Sequence, residues 1–174
     1  DSIMRDYPIN SFMVWDVQDD SIKENFKFYE FLKEYRQRYA EDNPDISTTG
    51  ISDFKAIIDG QQRLTSLYIG LRGSYAYKQP RKWWENTEDS LPTRHLYLHL
   101  KEEVKQEHDN QLLFNFKFLT SNDINKLGKE ESKWWFKLEK ILSIDSDEKK
   151  DDYIDGHPDV FNIPYAKKSF RQLY

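Results

Sequence analysis

The spacing of apolar residues along the chain predicts both helices and strands. Between Ile22 and Tyr39 apolar side chains recur every three or four residues, with charged residues between them, which predicts an amphipathic helix. Two short apolar runs, Phe12–Trp15 and Phe54–Ile58, have the composition of strands. After the second run, leucines and a tyrosine follow at helical spacing until Gly73, so we expect a helix directly behind that strand.

The second half of the chain predicts a hairpin and two short helices. Leucines alternate with other residues from Leu96 to Leu100, as in a half-buried strand, and Leu112–Leu119 is the expected partner strand. Ser121–Lys126, with Ser121 as its cap, and Ser132–Leu142 are predicted as helices. Together with the first half, these elements indicate an α/β (α+β) fold.

Composition narrows the class of protein. The 174 residues are 37% hydrophobic and 16% aromatic, which is enough for a core rich in Phe, Tyr and Trp. A formal net charge of -5 argues against a strongly basic DNA-coating protein, and the lack of cysteine excludes disulfides, thiolate zinc sites and cysteine nucleophiles. Because no apolar run has the length of a membrane span, we expect a cytoplasmic protein without a membrane partner.

Charge also suggests how the chain is divided. Asp145–Asp155 holds six acidic residues and two lysines without apolar periodicity, so we expect a solvated loop or linker there. The predicted division is one domain over residues 1–142, followed by an acidic linker and the start of a further region over residues 143–174. The first residue is Asp1 and not Met, and we interpret the chain as a piece of a longer polypeptide.

The segment most suggestive of chemistry is Lys55–Leu67, which reads KAIIDGQQRLTSL. It predicts a strand, a tight turn and a helix, and the free amides at a helix N-terminus bind anions. Gly60 would let a ligand approach the backbone closely. Arg63 can grip phosphate oxygens in a bidentate manner, with the two preceding glutamines as neutral donors. Asp59, at the carboxyl end of the strand, could hold Mg²⁺.

The same segment is compatible with a purely structural role. Asp59 and Gly60 can form an ordinary helix cap, with Gln61–Arg63 as a solvated first turn. The segment is not a Walker A loop, because the pattern G-x-x-x-x-G-K-[ST] does not occur in the chain. Spacing alone leaves both interpretations open.

The run DGQQRLTSL at Asp59–Leu67 resembles the signature of a large bacterial and archaeal family built on a ParB/sulfiredoxin-like domain, which includes the S half of the GmrSD modification-dependent restriction systems. Upstream, Ser2–Ile9 and Phe12–Val17 resemble the helix and strand that precede this motif. The likeness is good to about Gly73 and thin beyond it. It implies a ParB/sulfiredoxin-like domain over residues 1–142, with a small mixed sheet and flanking helices.

The resemblance also implies a function: binding, and hydrolysis, of a nucleoside triphosphate with Mg²⁺ in an anti-phage restriction protein. The implied nucleotide-binding residues are Gly60, Gln61, Gln62, Arg63 and Thr65. The implied catalytic residues are Asp59, Gln62 and Arg63, and Asp59 is also the implied metal ligand. An HNH-type nuclease domain in cis or in trans is the implied partner, and DNA would be bound by the full-length protein.

Two departures from the family pattern restrict these implications. The aromatic-Gln-Arg segment that usually precedes the motif is absent from this sequence. No His-Asn-His pattern occurs among His95, His99, His108 and His157. We therefore expect no DNA cleavage by this segment alone.

Two further sets of residues have side chains that can bind metals, but neither pattern favours a metal site. His95 and His99 share a strand face but lie about 13 Å apart at 3.3 Å per residue, which is too far for one metal to bridge. Glu103-Val104-Lys105 has the ExK spacing of restriction-type nucleases, with Asp59 or Asp109 as conceivable partners. Such triplets also arise by chance in a strongly charged run.

A basic and aromatic segment follows the motif helix and supports an alternative function. Its candidate nucleic-acid contacts are Lys78, Arg81, Lys82, Trp83 and Trp84, which could stack bases and meet phosphates. The tryptophans could instead belong to the core or to an interdomain contact, which we favour from sequence. The alternative function is a non-catalytic module that senses DNA or a partner protein through Tyr75–Trp84.

Overall fold

The computed structural model describes residues 1–103 and 112–174. The strands are β1 Met13–Val17, β2 Phe28–Tyr29, β3 Glu34–Arg36, β4 Asp45–Ile46, β5 Phe54–Asp59, β6 Ser74–Ala76, β7 Thr93–His99, β8 Phe116–Leu119 and β9 Trp135–Lys137. The helices are α1 Asp20–Asn25, α2 Gln61–Leu71, α3 Ser121–Lys126, α4 Gly128–Ser132, α5 Asp147–Asp155, α6 Pro158–Phe161 and α7 Pro164–Leu173, and 3₁₀ turns cover Ile3–Arg5 and Leu138–Ser143. The expected α/β class is confirmed.

The described strands pair into two small ribbons and one mixed sheet. β1 and β5 are antiparallel, with Val14 opposite Ile57, and β2 and β4 form a two-residue antiparallel ladder. In the mixed sheet, β3 runs parallel to β6, while β7 is antiparallel to β6, β8 and β9. The predicted hairpin of β7 with β8 is confirmed, and so are the strands predicted around Phe12–Trp15 and Phe54–Ile58.

The main core lies between the mixed sheet and the C-terminal helices. The ring of Phe170 in α7 is fully buried and packs against Phe136 of β9 and Phe161 of α6, with ring centroids 5.2 and 5.1 Å away. Leu98 of β7 is fully buried in the same cluster. Burial of each such side chain contributes about 1.5–3 kcal/mol. Apart from Met4, every buried member of this cluster lies at residue 98 or later.

Helix α2 connects this core to the N-terminal half. A Cβ atom at Gly70 would lie 3.1 Å from the side chain of Leu96 in β7, and one at Gly73 would lie 2.1 Å from the carbonyl oxygen of Lys33. Gly73, predicted as the helix stop, donates its amide to the carbonyl of Tyr68 at 2.8 Å just after α2 ends. The C-terminal end of α2 is therefore packed closely, and its N-terminal end lies about 15 Å away at 1.5 Å per residue.

The helix predicted over Ile22–Tyr39 is wrong for most of its length. Only α1 is helical, and β2 and β3 follow it. Tyr35 of β3 lies opposite Tyr75 of β6 with the rings stacked at 4.8 Å, and Phe28 of β2 meets Phe54 of β5 edge to face at 5.0 Å. These aromatic contacts between segments distant in sequence override the helical spacing.

The helix predicted over Ser132–Leu142 is also wrong. Phe136 lies opposite Leu98 in the ladder between β9 and β7, so the tryptophan-rich stretch is a strand, followed by a 3₁₀ turn. The prediction of α3 is confirmed, but its cap is Thr120 and not Ser121. The hydroxyl of Thr120 accepts from the amide of Asp123 at 3.0 Å, and the carboxylate of Asp123 accepts in return from the amide of Thr120.

The acidic tract Asp145–Asp155 is not the solvated loop that its charge predicts. It contains α5, whose first turn is capped by the hydroxyl of Ser146 and whose two lysines form ion pairs with acidic residues one turn earlier. Ile154 of this helix is buried in the main core. The division of the chain at residue 142 stays a prediction, although the core contains side chains from both sides of that position.

Candidate functional site

The DGQQR segment, Asp59–Arg63, lies where a strand turns into a helix, as its sequence predicts. β5 ends at Asp59, Gly60 turns the chain with a φ of +82°, and α2 begins at Gln61. A positive φ of this size is the left-handed conformation that glycine adopts at little cost. The turn therefore brings a strand end and a helix N-terminus together within three residues.

The N-terminus of α2 is open. Gly60 has no side chain to cap it, the carboxylate of Asp59 accepts no bond from a backbone amide of the first turn, and the first intrahelical bond runs from the amide of Leu64 to the carbonyl of Gly60 at 2.9 Å. The amides of Gln61–Arg63 have no acceptor in the described part of the chain. Gly60 is the N-cap residue and Asp59 does not cap the helix through its side chain. The exposed first turn agrees with the structural interpretation of the segment, and it also leaves three donors for an anion.

The guanidinium of Arg63 is held beside this open end. Its Nη2 donates to the carbonyl oxygen of Ser11 at 2.7 Å, and the group lies 5.7 Å from the ring centroid of Phe12. The same Nη2 is 3.5 Å from Asp59 Oδ2, a weak contact between partly exposed groups. Its Nε is buried without a partner in the described structure. Arg63 is thus fixed by a backbone carbonyl while one buried donor stays unused.

The turn lines an open pocket of about 310 Å³, formed by the consecutive residues Ile58 to Arg63. Asp59, whose side chain is 64% exposed, and Gln62 both line it. Gln61 also lines it, but its amide nitrogen already donates to the carbonyl of Ile57 at 2.7 Å, so it is a weaker donor candidate than its sequence position predicts. Thr65 lies outside this pocket and lines a neighbouring cavity.

Phe12 and Ser11 belong to the site although sequence reasoning missed them. A Cβ atom at Gly60 would lie 2.6 Å from Cδ1 of Phe12 and 3.0 Å from Nη2 of Arg63. The close approach that we expected Gly60 to offer a ligand is thus used by the ring of Phe12. No local signal identifies these contacts, because residues 11 and 12 reach the turn only through the pairing of β1 with β5.

The histidines and the ExK triplet that we weighed as metal ligands do not form a metal site in the described residues, and the role of Asp59 as a metal ligand stays a prediction. His95 Nδ1 lies 3.3 Å from the carbonyl of Gly73, whereas His99 is buried, and burial lowers its pKa even though Glu131 lies 3.5 Å away. Within residues 1–103 and 112–174 no group of three or more His, Asp or Glu side chains could hold a metal ion. The remaining ExK candidates, residues 104, 105 and 109, lie outside the described residues.

The basic and aromatic segment is on the surface. Trp83 is 84% exposed, so the interpretation of this tryptophan as a core residue is wrong. Trp84 is 41% exposed, with the charged ends of Arg38 and Lys78 5.4 and 5.5 Å from its ring. Lys82 forms an ion pair with Asp89, in which Nζ lies 2.6 Å from Oδ2.

The charge of this surface is only partly available to a ligand. Lys78 Nζ donates to two backbone carbonyls, those of Gln79 and Lys82, at 3.1 and 2.8 Å. Arg81 has a φ of +66° and makes no hydrogen bond or ion pair with the described residues. The candidate nucleic-acid contacts thus lie in one segment, and Arg81 is the cation among them that has no hydrogen-bond or ion-pair partner in the described residues.

Residues 1–168 match the family model of the GmrSD restriction endonuclease N-terminal domain. The chain belongs to this family. Membership makes it a component of a restriction system, as the resemblance of its motif indicates. No curated protein matches the chain. Among the helices of the described residues, none has the length and apolar character needed to cross a membrane.

Replacement of Gly60 tests the packing of the turn. Gly60→Ala combines left-handed strain with a clash against Phe12, so we expect a loss of roughly 2–4 kcal/mol in the free energy of unfolding, measured by urea denaturation. Gly50 is the matched control, because its φ is +75° and nothing lies within 4 Å of its missing Cβ. Gly50→Ala should cost only about 1 kcal/mol. Equal losses in the two variants would show that Phe12 does not constrain the turn.

Proposed function

We propose that this GmrSD-family domain binds the phosphates of a nucleoside triphosphate at the Asp59–Arg63 turn and hydrolyses the nucleotide. The observation that carries the proposal is the open N-terminus of α2 beside a fixed arginine. Three free amides and the helix dipole favour an anion at this end, and α2 is an 11-residue helix, long enough for a substantial dipole.

Arg63 supplies the charge that amides lack. Its tether to the carbonyl of Ser11 orients the guanidinium before a ligand arrives, which lowers the entropic cost of binding. The contact with Asp59, 3.5 Å long, is weak enough for a phosphate oxygen to replace it. Charge-assisted hydrogen bonds of this kind contribute about 1.5–3 kcal/mol each.

Asp59 and Gln62 fit the remaining roles at the pocket. The exposed carboxylate of Asp59 is an oxygen ligand of the type that Mg²⁺ prefers, and Mg²⁺ usually takes only one or two protein carboxylates and completes its shell with water and phosphate oxygens. Bound there, Mg²⁺ would neutralise phosphate charge. In hydrolysis, Asp59 or Gln62 would orient the attacking water and Arg63 would stabilise the charge that develops on the phosphoryl oxygens.

Family membership indicates that this activity would serve a restriction system. A restriction system must couple recognition of DNA to its cleavage, and we propose that an HNH-type nuclease domain, in cis or in trans, is the partner of this nucleotide-binding domain. DNA would be contacted by the full-length protein, and the nucleotide cycle would regulate the nuclease.

Removal of the Arg63 guanidinium tests phosphate binding. We expect Arg63→Ala to weaken the binding of MgATP and MgGTP about tenfold or more in calorimetric titrations, since one charge-assisted contact is lost. Arg72, at the other end of α2, is the matched control, and Arg72→Ala should bind like the wild type. Thermal melts must show that both variants are folded. Equal affinity in wild type and Arg63→Ala would reject the proposal.

A second candidate function has its own supporting observation. The ring of Trp83 is almost fully exposed beside Trp84 and the uncommitted Arg81, an arrangement that suits stacking on unpaired bases. Under this alternative the domain senses DNA or a partner protein, and the DGQQR turn serves as scaffold.

Single-stranded oligonucleotide binding tests this second function. Trp83→Ala should weaken binding about tenfold, measured by fluorescence anisotropy at low salt, and the wild-type affinity should fall as salt rises. Tyr7, an exposed aromatic residue elsewhere, provides the control variant Tyr7→Ala. Binding that is insensitive to both Trp83→Ala and salt would contradict a nucleic-acid role for this surface.

A further inference from the structure

Residues 79–90 form a loop whose two ends are held together. The segment contains neither helix nor strand. The amide of Gln79 at one end donates to the carbonyl of Ser90 at the other, at 2.8 Å. The ion pair between Lys82 and Asp89 links the two arms of the loop a second time. Compact surface loops with closed ends of this kind often carry function.

One carboxylate anchors the loop to the mixed sheet. Glu88 accepts hydrogen bonds from the amide and the hydroxyl of Thr93 in β7, at 2.8 and 2.7 Å. It also accepts from Nη1 of Arg36 in β3 at 3.3 Å, and Nε of the same arginine donates to the side-chain oxygen of Asn86. Two strands of the sheet therefore fix the loop before any ligand arrives.

This anchored loop carries Trp83. No other large hydrophobic side chain in the described part of the chain is as exposed. Tryptophan side chains are usually largely buried, and at interfaces they are among the residues that contribute most to binding. Because the loop is already ordered, placing this ring against a partner would cost little conformational entropy.

The turn after β3 adds a cation that the sequence did not suggest. Arg38 has a φ of +69° and lies in a tight turn, in which the amide of Ala40 donates to the carbonyl of Arg36 at 2.7 Å. The guanidinium of Arg38 lies 5.4 Å from the ring centroid of Trp84 and makes no hydrogen bond or ion pair with the described residues. The turn and the loop therefore meet at Trp84 and form one surface.

The charge left on this surface is positive. Glu85 is the loop carboxylate without a cationic partner among the described residues, since Glu88 and Asp89 are both in ion pairs. Three cations of the turn and the loop are likewise paired with no carboxylate in the same part of the chain: Arg38, Lys78 and Arg81. Three such cations against one carboxylate favour a polyanionic partner.

The arrangement suits a duplex better than a single strand. Single-strand sites stack successive bases on several rings along a groove. Among the described rings only that of Trp83 is almost fully exposed, whereas Trp84 has two cations beside its ring. Proteins that kink duplex DNA insert an apolar side chain between base steps, and cations contact the phosphates.

We infer that Trp83 is a wedge that enters duplex DNA between two base pairs, while Arg38 and Arg81 contact the phosphates. The inference rests on the second candidate function, which it narrows from unpaired bases to a base step that the loop itself opens. Membership in a restriction-system family agrees with duplex DNA as the partner. Pyrimidine–purine steps such as TA are the easiest to open.

Bending of DNA tests the wedge. Energy transfer is measured between dyes at the two ends of a duplex of about 20 base pairs with a central TA step. We expect the wild type to increase the transfer, because a kink of roughly 20–90° brings the ends together. Trp83→Ala should bind about tenfold more weakly and leave the duplex straight, and Trp83→Phe should restore the bend. Tyr7→Ala, at an exposed ring elsewhere, should bend the duplex like the wild type.

The salt dependence of duplex binding tests the phosphate contacts. Arg38→Ala and Arg81→Ala should each lower the slope of log affinity against log salt by about one, and the bound duplex should still be bent. Arg171→Ala, at an exposed arginine of α7, is the matched control and should change neither quantity. Thermal melts must show that all variants are folded.

The outcomes separate the wedge from the second candidate function. If the wild type does not bend the duplex, or if Trp83→Ala bends it equally, the wedge is rejected. Binding of single strands that depends on Trp83 would then leave the second function standing. If neither duplex nor single-stranded DNA binds the wild type, both proposals fail.

Discussion

The site depends on the packing of β1 against the Asp59–Arg63 turn. The ring of Phe12 occupies the space that a side chain at residue 60 would need, and the carbonyl of Ser11 accepts from the guanidinium of Arg63 at 2.7 Å. These two contacts join the residues just before β1 to the start of α2. They leave the helix N-terminus open, because the residue at the cap position has no side chain and cannot be replaced by Ser, Asp or Asn without a clash.

The protein separates the region that stabilises it from the region that carries the site. The main core lies between the mixed sheet and the C-terminal helices, where rings such as Phe170 are fully buried. The side chains of the β1–β5 ribbon are less buried than those of the main core, and Val14 and Ile58 on this ribbon are exposed. Helix α2 bridges the two regions, with Gly70 near its C-terminal end packed against Leu96 of β7 and its N-terminal end at the site.

Local sequence predicted the parts of the structure that are governed by local chemistry. The strand, turn and helix around Gly60 follow from an apolar run, a glycine and helical spacing, and the structure has all three. The hairpin of β7 with β8 likewise follows from the alternation of apolar and polar residues.

The predictions of secondary structure failed where contacts between residues distant in sequence determine the structure. Tyr35 has helical spacing but stacks on Tyr75 in a neighbouring strand, and Phe136 enters the core as part of β9. The acidic α5 was missed because its support comes from a cap, ion pairs and one buried isoleucine.

The candidate site shows the same limit. The strand, turn and helix of the motif were predicted from sequence, and the match over residues 1–168 shows the restriction-system family without testing the role of the motif. Phe12 and Ser11 could not be found in this way, since they meet the turn only after β1 pairs with β5. The exposure of Trp83 could not be predicted from sequence either, because tryptophan side chains are usually largely buried.

The central claim is that the free amides at the start of α2 bind phosphate. Amide chemical shifts in ¹H–¹⁵N spectra test it most directly, with MgATP and MgGTP added in turn to the labelled domain. The account predicts that the amide protons of Gln61, Gln62 and Arg63 move downfield on saturation, as they gain charged acceptors, while those of α7 stay in place. Nucleotide binding that shifts other residues and leaves these three amides unmoved would contradict the account.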